Sequence, residues 1–276
     1  MTPLQLQRQR YAERLVQDIE GDTRRLRDAF AGTLREHFVG PPPWQLLGNE
    51  IGRLWSSDPH ELYQDVLVGL DAERGINNGQ PSLHARCLAA CDPRPGERAL
   101  HVGAGTGYYS AILGQLGGSR GEVIAYEIEA DLATLAAANL KPWPQVSVRA
   151  VSGAEPPLPD SDVIYVSAGA THPLAAWLDA LRDGGRLLFP LTPDDGTGCM
   201  LLVTRLAGER YAARSLMRVS FIACAGARDP AASAALRQAF AHGAAEAVRS
   251  LRRDDRPDET AWCTGSGWWL STRPPG

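Results

Sequence analysis

A mixed α/β fold built on a mostly parallel sheet is what the sequence predicts, and three observations predict it. From Glu97 onward short apolar runs alternate with helical segments, the mark of repeated βαβ units. One run, Arg98–Val102, feeds a glycine-rich turn that opens a helix. The next run ends in an acid, Glu127, about 20 residues beyond that turn.

In chain order, apolar residues at helical spacing (Leu15, Ile19, Leu26, Phe30, Leu34) predict one or two amphipathic helices that the Gly40-Pro41-Pro42-Pro43 run stops. The stretch from Trp44 to about Gly75 has mixed polarity and turn residues at Ser56-Ser57-Asp58-Pro59, and reads as an irregular, partly helical cap. A short helix follows from Ser82 to Cys91, ended by Asp92-Pro93. Strands are expected over 98–102, 122–127, 147–150, 163–167, 186–190, 200–205 and 215–221, with helices at 109–116, 130–140 and 173–182. The last two strands, separated by a Gly-Glu-Arg turn, are expected to close the sheet as an antiparallel hairpin at one edge. An Ala-rich helix from Ala231 to about Leu251 and a tail carrying Trp262, Trp268 and Trp269 complete the chain, the tail docking on the core. The expected organisation is a helical cap over 1–75, a catalytic α/β domain over 76–222 and a C-terminal extension over 223–276.

Bulk properties narrow the function. With 276 residues the chain holds one catalytic unit plus appended segments. A net charge of -4 argues against a nucleic-acid partner, which needs a basic face to displace counterions. No charged stub with an apolar run opens the chain and no apolar stretch is long enough for a membrane span, so a cytoplasmic protein without membrane contact is expected. Five scattered cysteines without CxxC spacing predict reduced thiols and no metal site. The oligomeric state stays open, with a monomer the simpler expectation.

The loop His101-Val102-Gly103-Ala104-Gly105-Thr106-Gly107 indicates a nucleotide-like cofactor, because glycines let a ligand approach the backbone where the chain turns into a helix. A dinucleotide fingerprint would put its third glycine at Tyr108, whereas this loop reads G-x-G-x-G. S-adenosylmethionine (SAM), which has no pyrophosphate to neutralise, fits better. A Rossmann-like sheet follows, seven-stranded and mostly parallel. Glu127 is placed to accept hydrogen bonds from both ribose hydroxyls, with Ile128 beside it, and Ser152-Gly153 after the third strand could line the adenine. The bland alternatives are a structural strand-to-helix turn and a solvated strand-end carboxylate.

With these features stand Arg35-Glu36-His37-Phe38-Val39 before the proline run, Val163-Ile164-Tyr165-Val166-Ser167-Ala168-Gly169-Ala170 leading to Pro173, and Leu181-Arg182-Asp183-Gly184-Gly185-Arg186-Leu187-Leu188-Phe189-Pro190. Together they resemble the protein-L-isoaspartate O-methyltransferase family from about Leu34 to Phe221. The resemblance implies a SAM-dependent carboxyl O-methyltransferase acting on a protein, a peptide or a small-molecule carboxylate. It also exposes departures. The family's acid two positions before the loop is His101 here, its Asp-Gly pair after the third strand is Ser152-Gly153, and its serine at the substrate carboxylate falls on Gly79 or on Ser82 depending on the register.

Methyl transfer is an in-line displacement, so it needs position and exclusion of water, and a carboxylate nucleophile needs no general base. Donors able to orient such a carboxylate are Asn77, Asn78, Gln80 and Ser82, unless this segment merely caps the following helix through Ser82 or Asn78. His172, beyond the fourth strand at the sheet's carboxyl end, is a further candidate for substrate contact, and His84 reads as a packed or solvent-facing residue. The competing readings are a SAM-binding module with little catalysis and an NAD-linked oxidoreductase.

Overall fold

The computed structural model describes residues 2–48 and 52–276. Helix α1 (Pro3–Val16) starts at a reciprocal cap, with the Thr2 hydroxyl on the Gln5 N–H and the Gln5 side chain on the Thr2 N–H. Together with α2 (Arg24–Gly32) it buries Tyr11, Leu15, Leu26 and Phe30, so the expected amphipathic pair is present.

The segment read as an irregular, partly helical cap does hold a helical turn at Pro59–Tyr63, but it also forms four strands that the sequence did not suggest: β1 (Trp44–Gly48), β2 (Gly52–Ser56), β3 (Leu67–Asp71) and β4 (Ile76–Asn77), antiparallel in the order β2-β1-β3-β4. Residues 1 and 49–51 of that expected cap lie outside the described residues. These strands are five residues or fewer and lack a period-two pattern, since β2 is exposed on both faces until Ser56 and β3 contains Gly69. Their stability comes from pairing across the chain, as at Leu46 opposite Val68, both fully buried.

Helix α3 (Pro81–Cys91) takes proline at its first position and ends on Asp92 in the left-handed region. The βαβ series follows: β5 (Arg98–Val102), α4 (Tyr108–Gly117), β6 (Glu122–Tyr126), α5 (Ala130–Asn139), β7 (Val146–Arg149), β8 (Ser161–Val166), α6 (Ala175–Asp179), β9 (Leu181–Leu191), β10 (Gly198–Leu206) and β11 (Arg210–Val219). Then come α7 (Pro230–His242), β12 (Ser250–Arg252), β13 (Ala261–Gly265) and β14 (Trp268–Ser271).

These elements form two compact units, Met1–Gly96 with Ala104–Ala150, and Glu97–Gly103 with Val151–Gly276. In the first, β6 and β7 pair in parallel and α4 is buried along almost its whole length. In the second, one sheet runs β13-β14-β12-β11-β10-β9-β8-β5, with β5, β8 and β9 parallel and the rest antiparallel. Its parallel strands carry unbroken buried stretches, 99–102, 163–166 and 187–191, and Leu100, Val163, Ile164, Leu187 and Leu188 are all fully buried.

All seven expected strands occur within a mixed α/β, Rossmann-like fold. The β10–β11 hairpin is longer than expected and does not end the sheet, since Tyr211 pairs with Leu251 of β12. The Ala-rich helix ends at His242, eight residues or so before the expected limit, and the following chain becomes β12 to β14, with Trp268 and Trp269 buried. Those strands are too short to register from pattern alone. They form because β11 offers an unpaired edge.

Trp177 on α6 is fully buried against Phe189, and its indole N–H donates to the Gly153 carbonyl at 2.8 Å. Trp177→Ala is expected to cost about 3–5 kcal/mol in urea unfolding, through the cavity and the orphaned carbonyl.

Candidate active site

Strand β5 ends in the glycine loop, and α4 begins immediately after Gly107. A β-carbon at Gly107 would stand 2.8 Å from Leu140 Cδ1, and its φ of +98° is one that side-chain-bearing residues rarely adopt. The loop is held by its backbone. Ala104 N–H donates to Tyr126 O (3.1 Å), Gly105 N–H to Glu127 Oε2 (2.6 Å), and Thr106 O accepts from Asn139 Nδ2 (3.0 Å). The Thr106 hydroxyl donates to Phe38 O at 2.5 Å. The Tyr108 ring packs edge-on against Phe30 and Phe38, so its side chain anchors α4 in the core. A cleft of about 340 Å³ opens against Thr106, walled by Trp44, Trp55, Leu70, Leu132 and Leu135.

Glu127 follows β6 and is buried. Its Oε2 takes the Gly105 N–H, and its Oε1 takes the Glu129 N–H at 3.0 Å. Burial raises its pKa, and the backbone donors only partly offset that rise. An ionised carboxylate has about four acceptor positions. Gly105 and Glu129 fill one on each oxygen and the Ile128 N–H contributes further, so the acceptor capacity that remains suits the hydroxyls of a vicinal diol. The site therefore fits a ribose, and a ribose would supply the hydrogen bonds that burial denies. Ile128 beside it is half exposed, an apolar surface next to the sugar position.

In the second unit, His101 is buried on β5 with Nε2 3.0 Å from Ser167 Oγ, and burial lowers its pKa to about 3. The imidazole is neutral at physiological pH. Gly103 lies against the backbone of Ser167, whose N–H donates to Val102 O at 2.8 Å. Ser152 Oγ accepts the Ala154 N–H, and Gly153 is fixed by Trp177. His172 is half-buried with Nδ1 3.0 Å from Thr171 Oγ1, and burial lowers its pKa as well. Thr171 ties this loop to 227–229 through Asp229 N–H and Ala227 O, while Arg228 donates to Gly169 O. Ser167 stands within the family-like 163–170 segment, whereas Thr171 and Arg228 carry no motif that would single them out in the sequence.

The segment before α3 is more committed than the sequence suggests. Asp65 accepts from Gln80 Nε2 (2.7 Å), Ser82 Oγ (2.7 Å) and Ser82 N–H (2.8 Å), so both candidate donors face a carboxylate that caps the helix from 15 or more residues away. The capping position itself belongs to Gln80, not to Ser82 or Asn78. Asn77 Oδ1 accepts the Gly79 N–H. Asn78 Oδ1 accepts from Val68 N–H and from Arg35, and its amide nitrogen is buried with no acceptor. A buried donor of this kind costs free energy until something fills it.

Gly79 has φ +74°, and a β-carbon there would collide with the His84 ring, 2.8 Å from Cδ2. His84 is buried and stacked on Tyr109 at 3.7 Å, and the Tyr109 hydroxyl donates to Gly79 O at 3.3 Å. The imidazole thus fills the volume a side chain at 79 would need. Among the described residues, no group of three or more His, Cys, Asp or Glu could hold a metal ion, and no helix is long and apolar enough to cross a membrane.

Two substitutions probe this geometry. Gly79→Ala is expected to lower stability by more than about 1 kcal/mol in urea titration, from left-handed backbone strain plus displacement of His84. Because burial raises the Glu127 pKa above its ordinary 4.5, the folded chain binds more protons than the unfolded one between those values, and stability falls as pH rises through them. Glu127→Gln is therefore expected to melt at pH 7 no lower than the parent and to flatten the dependence of Tm above pH 4.5, while weakening SAM binding about tenfold or more in calorimetry.

Comparison with known proteins bears on the same residues. The family model for protein-L-isoaspartate(D-aspartate) O-methyltransferase matches residues 49–229. A protein-L-isoaspartate O-methyltransferase of Pyrobaculum arsenaticum is 28% identical over 221 residues, covering 76% of this chain and 98% of the relative. Among solved structures, a protein-L-isoaspartate O-methyltransferase superposes with TM-score 0.68 at 22% identity, over 79% of this chain and 66% of its own. A Plasmodium falciparum protein described as a putative protein-L-isoaspartate O-methyltransferase, solved with S-adenosyl-L-homocysteine, superposes with TM-score 0.63 at 20% identity, over 79% of this chain and 98% of its own. With more than half of its residues matched by one model and its fold shared with these structures, the chain belongs to the protein-L-isoaspartate(D-aspartate) O-methyltransferase family.

Proposed function

We infer that the protein is a SAM-dependent carboxyl O-methyltransferase that esterifies an isoaspartyl-type carboxylate in a protein or peptide. The observation that carries the cofactor is the buried Glu127 carboxylate, fastened to the glycine loop by the Gly105 N–H and to the following turn by the Glu129 N–H. Family membership supports the acceptor class.

When bound, SAM supplies a methyl group on a positively charged sulfur that leaves as a neutral thioether. The chain's residues do the rest by placement. Glu127 holds the ribose diol, and the backbone of 103–107 lies close enough for contact because its glycines carry no side chains. The acceptor carboxylate is ionised at neutral pH, so one oxygen attacks, the new O–CH3 bond forms as the C–S bond breaks, and no proton needs to move. We assign the carboxylate's orientation to the 77–82 segment. The buried amide nitrogen of Asn78 is the donor in search of an acceptor, and Gln80 and Ser82 take part where Asp65 releases them. His172 is assigned to the acceptor's surroundings as a neutral hydrogen-bonding group. His101, Ser152 and Gly153 are assigned to the cofactor, His101 offering a dipole where the family offers a charge.

A second reading, a SAM-binding module with little turnover, is favoured by Gly79, where the His84 ring excludes the side chain that the family's serine would present. A peptide-derived natural product or small carboxylate is the alternative acceptor. A cytoplasmic protein completes the proposal, supported by five cysteines that are all buried and form no disulfide among the described residues, with a monomer the simpler expectation.

Incubation with methyl-labelled SAM and paired isoaspartyl and aspartyl peptides is expected to label the isoaspartyl peptide in an alkali-labile form. Alkali-stable label would rule out an ester. SAM binding without label on any carboxylate would transfer the case to the second reading.

A further inference from the structure

The guanidinium of Arg74, in the turn between β3 and β4, is shared by three carboxylates. Nε lies 2.7 Å from Asp71 Oδ2, Nη1 2.5 Å from Glu129 Oε2 and Nη2 2.7 Å from Asp131 Oδ2. Asp71 belongs to the hairpin itself, and its other oxygen accepts the backbone N–H groups of Glu73 and Arg74, which folds the turn. Glu129 and Asp131 belong to the turn after β6 and the first turn of α5. Arg74 therefore joins the hairpin to the chain that follows Glu127.

That chain orients the ribose-binding carboxylate, because the Glu129 N–H donates to Glu127 Oε1. The hairpin also reaches the glycine loop: Leu70 Cδ1 lies 3.7 Å from the place a β-carbon on Gly105 would occupy. Gly105 in turn donates to the other oxygen of Glu127. Both oxygens are thus set by backbone that the Arg74 clamp borders.

We propose that Arg74 is a positioning residue for the cofactor's ribose, holding the β3–β4 hairpin on the 128–131 turn so that the Glu127 carboxylate keeps the orientation that grips the diol. The proposal rests on SAM being the cofactor. A planar fork presents its donors in fixed, spaced directions, whereas a lysine ammonium presents its three from one compact point. Without a cation, Asp71, Glu129 and Asp131 repel one another beside Glu127, and the turn and hairpin separate. Because the Arg74 side chain is about one third exposed, salt screens the clamp.

The test is calorimetric binding of S-adenosylhomocysteine to the full chain, to Arg74→Met, Arg74→Lys and Glu127→Gln, and to the Met/Gln double variant, at low and high NaCl. Arg74→Met is expected to weaken binding about tenfold, and Arg74→Lys to restore part of the loss. In the Glu127→Gln background the Met substitution should add nothing, and added salt should weaken the parent more than Arg74→Met. Melting temperatures establish that each variant is folded, and Arg74→Lys carries the comparison if Arg74→Met is not. An unchanged Kd in the folded variants overturns the proposal, and so does a loss that is equally large with and without the Glu127 carboxylate. Failure of the unsubstituted chain to bind S-adenosylhomocysteine overturns the cofactor reading itself, a different result reached before any substitution.

Discussion

A carboxylate kept out of water at the end of β6 is the constraint on which the cofactor half of the molecule turns. Glu127 is the one buried Asp or Glu among the described residues, and burial makes its charge expensive. The expense is partly offset by backbone N–H groups, chiefly Glu129 from the next turn and Gly105 from the glycine loop. The same two bonds fix the loop against the strand end, so electrostatic need and loop geometry have one solution. A residue bought for stability alone would be apolar here. An acid at this depth is costly to the fold, and the ribose proposed for this site would add to its hydrogen bonding.

The acceptor segment obeys a different logic. Gln80 and Ser82 look like free donors in a linear reading, yet both satisfy Asp65, which serves as a cap for α3. Capping and substrate recognition draw on the same residue types, since both present a hydrogen bond at a helix start. What distinguishes Asn78 is its depth: its oxygen is used by Val68 and Arg35 while its nitrogen is left without an acceptor. The stacked His84–Tyr109 pair then accounts for a glycine at 79, because ring and side chain cannot share that space.

Much of this was legible in the sequence where the signal is local. The G-x-G-x-G loop and Glu127 could be located because a strand, a turn and a helix start follow one another in the chain, and the parallel strands because apolar runs buried on both faces do not alternate. The four-stranded sheet over 44–77 was not legible. Its strands are short, one is exposed over four of its five residues, and their pairing joins residues about 20 apart, as at Leu46 and Val68. The same holds for β12 to β14, whose identity as strands depends on the edge of β11. Asp65, Arg74 and Thr171 escaped notice because single polar residues in turns have no period and acquire meaning only from partners far along the chain.

Under the proposed assignment of His101 to the cofactor, in the place of the family's acid, the electrostatics of the reaction rest on fewer groups. An anion at that position would attract the cofactor's positive charge in both ground state and transition state, so it would contribute to binding more than to rate. A neutral imidazole, held neutral by burial and tied to Ser167, offers directional hydrogen bonding without that long-range attraction. Methyl transfer between a carboxylate and a sulfonium destroys charge as it proceeds, and a site with fewer fixed charges opposes that loss less. The substitution is therefore compatible with chemistry even where it weakens affinity. Under the same proposal, affinity for the cofactor depends the more on the ribose contact assigned to Glu127 and on the backbone that orients that carboxylate.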